Sequence, residues 1–289
     1  MLKVVVFAAA FLATGCASQG AARVPAMRGA VAPLSVTSGR VVSQELRDVE
    51  KLLAERPGVR TLLVLDIDDT LLTSSTFFGS DAWYEWQRGL TEAEPGFVPC
   101  RFDVIAINYE VGTQKVTQSD GPDVINPILP GQDTIILTSR SSGARAATLR
   151  ELRRARYSLP RPLPGAEGSL YRYPRDGSGR VTTISYDEGV FMTQGQNKGL
   201  VLLDLLDELK LKYDRIVLVD DGDANHTNME KALASRGIEY RGLHYTRVDK
   251  EADAAEQSEA AAAWGAWGAL IEKIYPERMQ RMRAGQCAY

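Results

Sequence analysis

The stretch Thr61-Leu62-Leu63-Val64-Leu65-Asp66-Ile67-Asp68-Asp69-Thr70 decides the reading of this chain. Leu62 to Leu65 form a continuous apolar run without polar alternation, as expected of a strand buried on both faces of a parallel sheet. The run ends in acid. A carboxylate at the end of a buried strand, with a second one two residues later, puts two like charges at one loop. Their repulsion is costly unless a cation or a proton sits between them. One carboxylate can then bind metal and attack while the other moves a proton. The competing reading is a plain turn, because Asp is a common turn former. A motif this short therefore needs independent support.

That support comes from two further runs, Thr134-Ile135-Ile136-Leu137-Thr138 and Arg215-Ile216-Val217-Leu218-Val219-Asp220. Each precedes a segment with helical character, predicted over 143–157 and 224–235. Other helices are predicted over 41–55, where Pro57-Gly58 ends the pattern, over 197–211, and over 256–283. Strand, loop and helix in repeated order predict an α/β fold with a doubly wound parallel sheet. Ligands in such sheets sit at the carboxyl ends of the strands, where this chain places Asp66, Thr138 and Asp220. Residues 74–130 break the alternation and are predicted as an inserted cap. Within it Trp83, Tyr84 and Trp86 either stack on a substrate ring or form the insert's own small core. The irregular stretch 165–191 carries the strand-like Val181-Thr182-Thr183-Ile184-Ser185-Tyr186.

Of 289 residues 44% are hydrophobic and 25% charged, which favours a packed globular protein over a disordered one. Lys and Arg number 34 against 37 Asp and Glu, so no basic field exists to recruit a nucleic-acid polymer. With only two histidines, His226 and His244, and three cysteines, His-rich centres and zinc-type pairs are excluded. The N-terminus reads as a signal peptide over 1–16: Lys3, an apolar run over 4–13, then Ala13-Thr14-Gly15-Cys16. Such a run is too short for a permanent membrane span. Its end resembles the bacterial lipobox, with Leu12 one place early. That resemblance implies a lipid on Cys16 and, because Ala17 follows rather than Asp, the periplasmic face of the outer membrane. Plain secretion is the alternative. Residues 17–42 read as a flexible tether and 43–289 as the catalytic domain. Cys100 and Cys287 are then a possible disulfide in an oxidising compartment, a pairing that sequence leaves open.

In order and spacing the chemical residues resemble the haloacid-dehalogenase-like (HAD) phosphohydrolase superfamily. The matching elements are Asp66-Ile67-Asp68-Asp69-Thr70, Ile135-Ile136-Leu137-Thr138-Ser139-Arg140, the lysine of Gln196-Asn197-Lys198-Gly199, and the strand ending in Asp220-Asp221. The surrounding residues look most like a secreted bacterial lipoprotein branch with an acid-phosphatase-like site. The resemblance implies a Rossmann-like sheet with a cap between the first two motifs, and a small phosphomonoester as substrate. It implies Asp66 as nucleophile and Mg2+ ligand, and Asp68 as acid and base with its main-chain carbonyl on the metal. Thr138 and Ser139 would bind phosphate, Lys198 would neutralise phosphate and Asp66, and Asp220 would complete the metal shell. Thr70, Arg140 and Asp221 are accessory candidates. Arg140 either touches phosphate or starts a helix; Asp221 either holds Lys198 or a metal-bound water. His226 is expected near the start of a helix rather than on the metal.

Independently of the family, an oxygen-rich site without His or Cys clusters suits Mg2+ better than Zn2+. Asp68 argues for phosphate chemistry, since the dehalogenase branch, with no leaving oxygen to protonate, resembles this motif without the second Asp. Two other readings stand beside hydrolysis: phosphotransfer to an alcohol, and a surface-binding lipoprotein that keeps the fold without turnover.

Overall fold

The computed structural model describes residues 35–37, 39–166, 169–174 and 181–288. The expected signal peptide, Cys16 and most of the expected tether lie outside the described residues. All three apolar runs form strands with the predicted limits: β3 (Thr61–Leu65), β6 (Thr134–Thr138) and β10 (Arg215–Asp220). They are neighbours in one sheet with β1 (Ser35–Thr37), β2 (Arg40–Ser43), β7 (Ser169–Pro174), β8 (Val181–Asp187), β9 (Val190–Met192) and β11 (Glu239–Tyr245). The order is β1-β2-β11-β10-β3-β6-β9-β8-β7. The six strands from β2 to β9 run parallel, and β1, β8 and β7 pair antiparallel at the edges. In register, Val219 lies beside Leu65 and Leu65 beside Ile136, so these three strands end within two residues of one another.

Helices cover both faces, which is why the central strands are apolar throughout. Leu63, Leu65, Ile136, Val217 and Val219 pack with α1 (Asp48–Ala54), α4 (Gly121–Ile125) and α5 (Arg145–Arg154). Leu62, Val64, Ile135, Leu137 and Leu218 pack with α6 (Lys198–Glu208) and α7 (Asp223–Ala234). The chain leaves β3 towards β6 on one side and β10 towards β11 on the other. The crevice beyond β3 and β10 is thus the switch point at which ligands bind in such sheets.

Two helical expectations change. The segment 41–55 is not one helix: Val41 is a buried residue of β2, hydrogen-bonded beside β11, and α1 starts only at Asp48. The C-terminal helix divides at Tyr275 into α8 (Ala254–Ile274) and α9 (Pro276–Arg283), because Pro276 cannot donate to the preceding turn and instead opens a new helix.

Between β4 (Leu72–Ser74) and its antiparallel partner β5 (Gln114–Val116) lie α2 (Asp81–Gly89) and α3 (Arg101–Val111). They have a core of their own, built from Trp83, Val98 and Val104 with Ala260 of α8. Trp83 is fully buried there, and Trp86 packs against the same cluster. The C-terminal helices are stapled to this region by a Cys100–Cys287 disulfide and an Arg278–Asp103 ion pair. Among the described residues no helix is long and apolar enough to cross a membrane.

Candidate active site

Asp66 leaves β3 with its amide bonded to the Val219 carbonyl of β10 at 2.9 Å, which fixes the acid at the switch point. The following loop turns sharply. Asp69 adopts a positive φ of 54°, a conformation that Asp tolerates better than most residues. Its amide donates to Leu72 at 2.7 Å. Opposite, two successive left-handed residues, Gln194 and Gly195, bring the loop after β9 back onto β6. Their amides donate to the carbonyls of Arg140 and Ser139 at 3.1 and 3.0 Å. The same loop leads to Asn197, whose side chain caps α6 by accepting from the amides of Gly199 and Leu200. Lys198 is therefore presented from the first turn of a well-started helix.

Lys198 is buried, with its ammonium 2.7 Å from Asp66 Oδ1 and 2.7 Å from Asp220 Oδ2. The other oxygen of Asp220 accepts from the Gly222 amide at 2.8 Å and from Asn225 Nδ2 at 2.9 Å. Burial opposes charge on all three groups. It carries the Asp66 carboxyl well above the usual carboxylate range even against Lys198. Asp220 stays below its ordinary value because Lys198 and the Asn225 amide outweigh its burial. Lys198 itself is held above its ordinary value by Asp220 and Asp66.

Asp68 is gripped by Arg140, with Nη2 donating to Oδ1 at 2.7 Å and Nε to Oδ2 at 2.9 Å. Thr138 is buried at the end of β6, where its hydroxyl accepts from the Arg140 amide at 3.2 Å. Asp221 does not hold Lys198. Its partner is Lys250 at 2.5 Å, whose ammonium also meets Asp81 of α2 and lies 3.6 Å from Asp69. Burial pushes Asp221 up to about 7 and Asp69 up to about 6. His226 is buried near the start of α7, the position in the helix that the sequence predicts. Its Nε2 lies 2.8 Å from the Asp220 carbonyl and its Nδ1 2.6 Å from the Tyr240 hydroxyl. Burial lowers it to about 4, which keeps it neutral.

Above these groups is a cavity of about 390 Å³. Asp66, Asp68, Ser139, Arg140 and Asp221 line its floor, and Tyr84, Phe102 and Tyr109 contribute from α2 and α3. Of the aromatic trio in the insert, only Tyr84 reaches this space. Thr70 does not: its carbonyl accepts from the Thr117 hydroxyl, and its own buried hydroxyl has no partner among the described residues.

Sequence reasoning missed Lys250, Asp81 and Tyr109. Lys250 follows β11 in a loop without a motif, and its three carboxylate partners come from distant parts of the chain. Tyr109 and Asp81 sit on helices whose docking no local pattern announces.

Asp66, Asp220 and Asp221 each offer a carboxylate oxygen, all within 4.8 Å of one another. Among the described residues, six carboxylates (Asp66, Asp68, Asp69, Asp81, Asp220, Asp221) are linked to three cationic side chains, Lys198, Arg140 and Lys250. Hard oxygen donors and a deficit of positive charge both fit Mg2+.

The groups are thus gathered at three neighbouring strand ends and one helix start of a doubly wound parallel sheet, the arrangement that the HAD-like resemblance of the motifs implies. The chain belongs to the family described as "Protein of unknown function (DUF2608)", which matches residues 42–277. No curated protein matches it. Among solved structures it is similar to a class C acid phosphatase from Bacillus anthracis, at 11% identity and a TM-score of 0.34, covering 75% of this chain and 84% of that one. It is also similar to the HAD domain of the effector protein Lem4 from Legionella pneumophila, at 13% identity and a TM-score of 0.34, covering 71% and 94%.

Proposed function

We propose that this protein is an exported, Mg2+-dependent phosphomonoesterase acting on a small phosphate ester through an aspartyl-phosphate on Asp66. The observation that carries this reading is the buried Lys198 bridge between Asp66 and Asp220 beneath a cavity that also exposes Asp68. An ammonium there compensates two carboxylates at once and leaves Asp66 aimed at the space where a phosphoryl group would sit.

In the first half of the reaction an Asp66 oxygen attacks phosphorus. An O–P bond forms as the ester O–P bond breaks, and the departing oxygen takes its proton from Asp68. In the second half water attacks phosphorus and gives a proton to Asp68. The aspartyl O–P bond breaks, inorganic phosphate leaves, and the Asp66 carboxylate is restored. Thr138, Ser139 and Lys198 hold the phosphoryl oxygens. Mg2+ would be held by Asp66, Asp220 and the Asp68 carbonyl, with Asp221 nearby, and would supply charge neutralisation for the phosphoryl group. The helices between β4 and β5 act as the cap that covers the substrate.

Export is supported by the N-terminal residues and by the Cys100–Cys287 disulfide, a bond that persists in oxidising compartments. Attachment through a lipid on Cys16 follows from the lipobox resemblance.

The test is phosphate release by residues 22–289 from nucleotides, sugar phosphates and simple esters, with Mg2+ or EDTA, beside Asp66→Asn. Release that needs Mg2+ and vanishes in the variant is the expected result. Undiminished release by Asp66→Asn would remove the assigned nucleophile.

A further inference from the structure

We propose that Arg140 is a positioning residue for Asp68: it aims the carboxyl group that exchanges protons with the leaving group and with water, and does so under control of the insert. This rests on the phosphatase reading above. Arg140 immediately follows the phosphate-binding strand end, and the obvious role for a cation there is to touch phosphate. Its geometry points elsewhere. The side chain is almost completely buried, and two of its three nitrogens are spent on the two oxygens of Asp68, at 2.7 and 2.9 Å. The third, Nη1, donates to the hydroxyl of Thr148 in α5 at 3.0 Å. With every nitrogen engaged, the guanidinium is fixed in its plane, and a fork onto both carboxylate oxygens fixes the plane of Asp68 in turn.

The face of the guanidinium is covered as well. Its central carbon lies 4.1 Å from the ring centroid of Tyr109, in cation–π contact. The Tyr109 hydroxyl lies 3.4 Å from Asp68 Oδ2. Tyr109 belongs to α3, so the insert covers one face of the Arg140–Asp68 pair. A core residue (Thr148), an insert residue (Tyr109) and the first-motif acid thus converge on one guanidinium. Seating of the insert and aim of Asp68 are thereby linked.

The consequence is specific to the proton-transfer role. An ester with a poor leaving group, such as ethyl phosphate, needs a well-aimed acid; p-nitrophenyl phosphate, whose leaving group departs as a stable anion, scarcely does. Steady-state kinetics and single-turnover cleavage of both esters with Mg2+ would be measured for the wild type, Arg140→Lys and Thr148→Val. Arg140→Lys keeps the charge but cannot fork. We expect kcat of Arg140→Lys to fall on the order of tenfold more on ethyl phosphate than on p-nitrophenyl phosphate, with KM nearly unchanged. Thr148→Val, which loosens the guanidinium while leaving it present, should show the same selectivity at smaller size. It keeps the idea testable if Arg140→Lys fails to fold.

Equal loss on both esters in single-turnover ester cleavage, which leaves out the shared hydrolysis of the aspartyl-phosphate, would overturn the proposal in favour of a structural role. A loss confined to KM would overturn it in favour of phosphate binding. A gain on ethyl phosphate would overturn it too, showing that the fork withholds the acid. Wild-type protein without Mg2+-dependent turnover on either ester would instead sink the phosphatase reading, and this role with it.

Discussion

Replacing Lys198 by methionine tests the centre of the site without disturbing the helix that carries it. Methionine is of similar length and helix propensity, so the main change is loss of one charge between two carboxylates at 2.7 Å each. Asp66 and Asp220 are 5% and 0% exposed, so water cannot replace the ammonium. Removing one partner of a buried ion pair costs about 3–5 kcal/mol, because it strands the other charge. Here two acids are stranded, and burial holds the Asp66 carboxyl well above the usual carboxylate range. Protonation relieves part of the damage, so the figure should hold at pH 8 in EDTA and shrink towards pH 5.5. Mg2+ at about a hundred times its dissociation constant should return roughly 2.7 kcal/mol by mass action. Urea denaturation of both proteins at the two pH values, with EDTA or Mg2+, reads all three quantities. Turnover should fall about 10²–10³-fold, the scale of losing one electrostatic contact to the transition state. A folded variant that loses less than about 1 kcal/mol at pH 8 in EDTA would refute the bridging arrangement, since stranded buried charges cannot be that cheap.

Three further outcomes follow from the same geometry. Burial raises Asp221 to about 7 in the folded protein, above its unfolded value near 3.9. The native state therefore binds more protons between these values, and stability falls as pH rises through the window. Asp221→Asn should accordingly gain on the wild type as pH rises from 4.5 to 7.5 in EDTA, by about 3–4 kcal/mol at the upper end; a difference that shrinks with pH would contradict this origin. The Cys100–Cys287 bridge spans 187 residues, for which chain entropy gives about 5 kcal/mol. Cys287→Ser should lose about 2–5 kcal/mol in urea, and an unchanged midpoint would show that the staple constrains nothing. A Cβ at Gly199 would stand 2.8 Å from the Asn228 carbonyl and 2.8 Å from Ala232 of α7. Gly199→Ala should thus destabilise by about 1–2 kcal/mol instead of giving the usual helical gain; a stabilised variant in thermal melts would show that α6 and α7 separate freely.

The parts of the fold legible in the sequence share one physical cause. β3, β6 and β10 are buried on both faces and so read as uninterrupted apolar runs with sharp ends. Their ends also open onto the crevice at the switch point, so the same runs located Asp66, Thr138 and Asp220. β11, Glu-Tyr-Arg-Gly-Leu-His-Tyr, is a parallel strand as well, but polar residues alternate along it because it lies towards the sheet's edge. β9 has only three residues and gave too short a signal. The break at Pro276 was readable in principle, since proline opens helices more readily than it continues them. The pairing of Cys100 with Cys287 was not, because it depends on docking α8 and α9 against the insert.

The site divides along the same line. The half that carries Asp66, Thr138, Lys198 and Asp220 is local: strand ends and a capped helix start, each identifiable from a few consecutive residues. The site's neutralising half is assembled by tertiary structure. Arg140 meets Asp68 across 72 residues, and Lys250 meets Asp81 across 169. Both contacts join the loops of the sheet to groups on, or covered by, the insert: Lys250 through Asp81 of α2, Arg140 beneath Tyr109 of α3. Six acids at one crevice would repel one another in an open site. Packed over the crevice, the insert sets Asp81 on Lys250 and the Tyr109 ring on Arg140, so it bears on two of the cations that neutralise these acids. On this reasoning the insert helps to set the charge balance of the crevice as well as shaping the cavity above it. Substitutions in α2 and α3 far from the floor should then change the pH dependence of turnover as well as the choice of substrate.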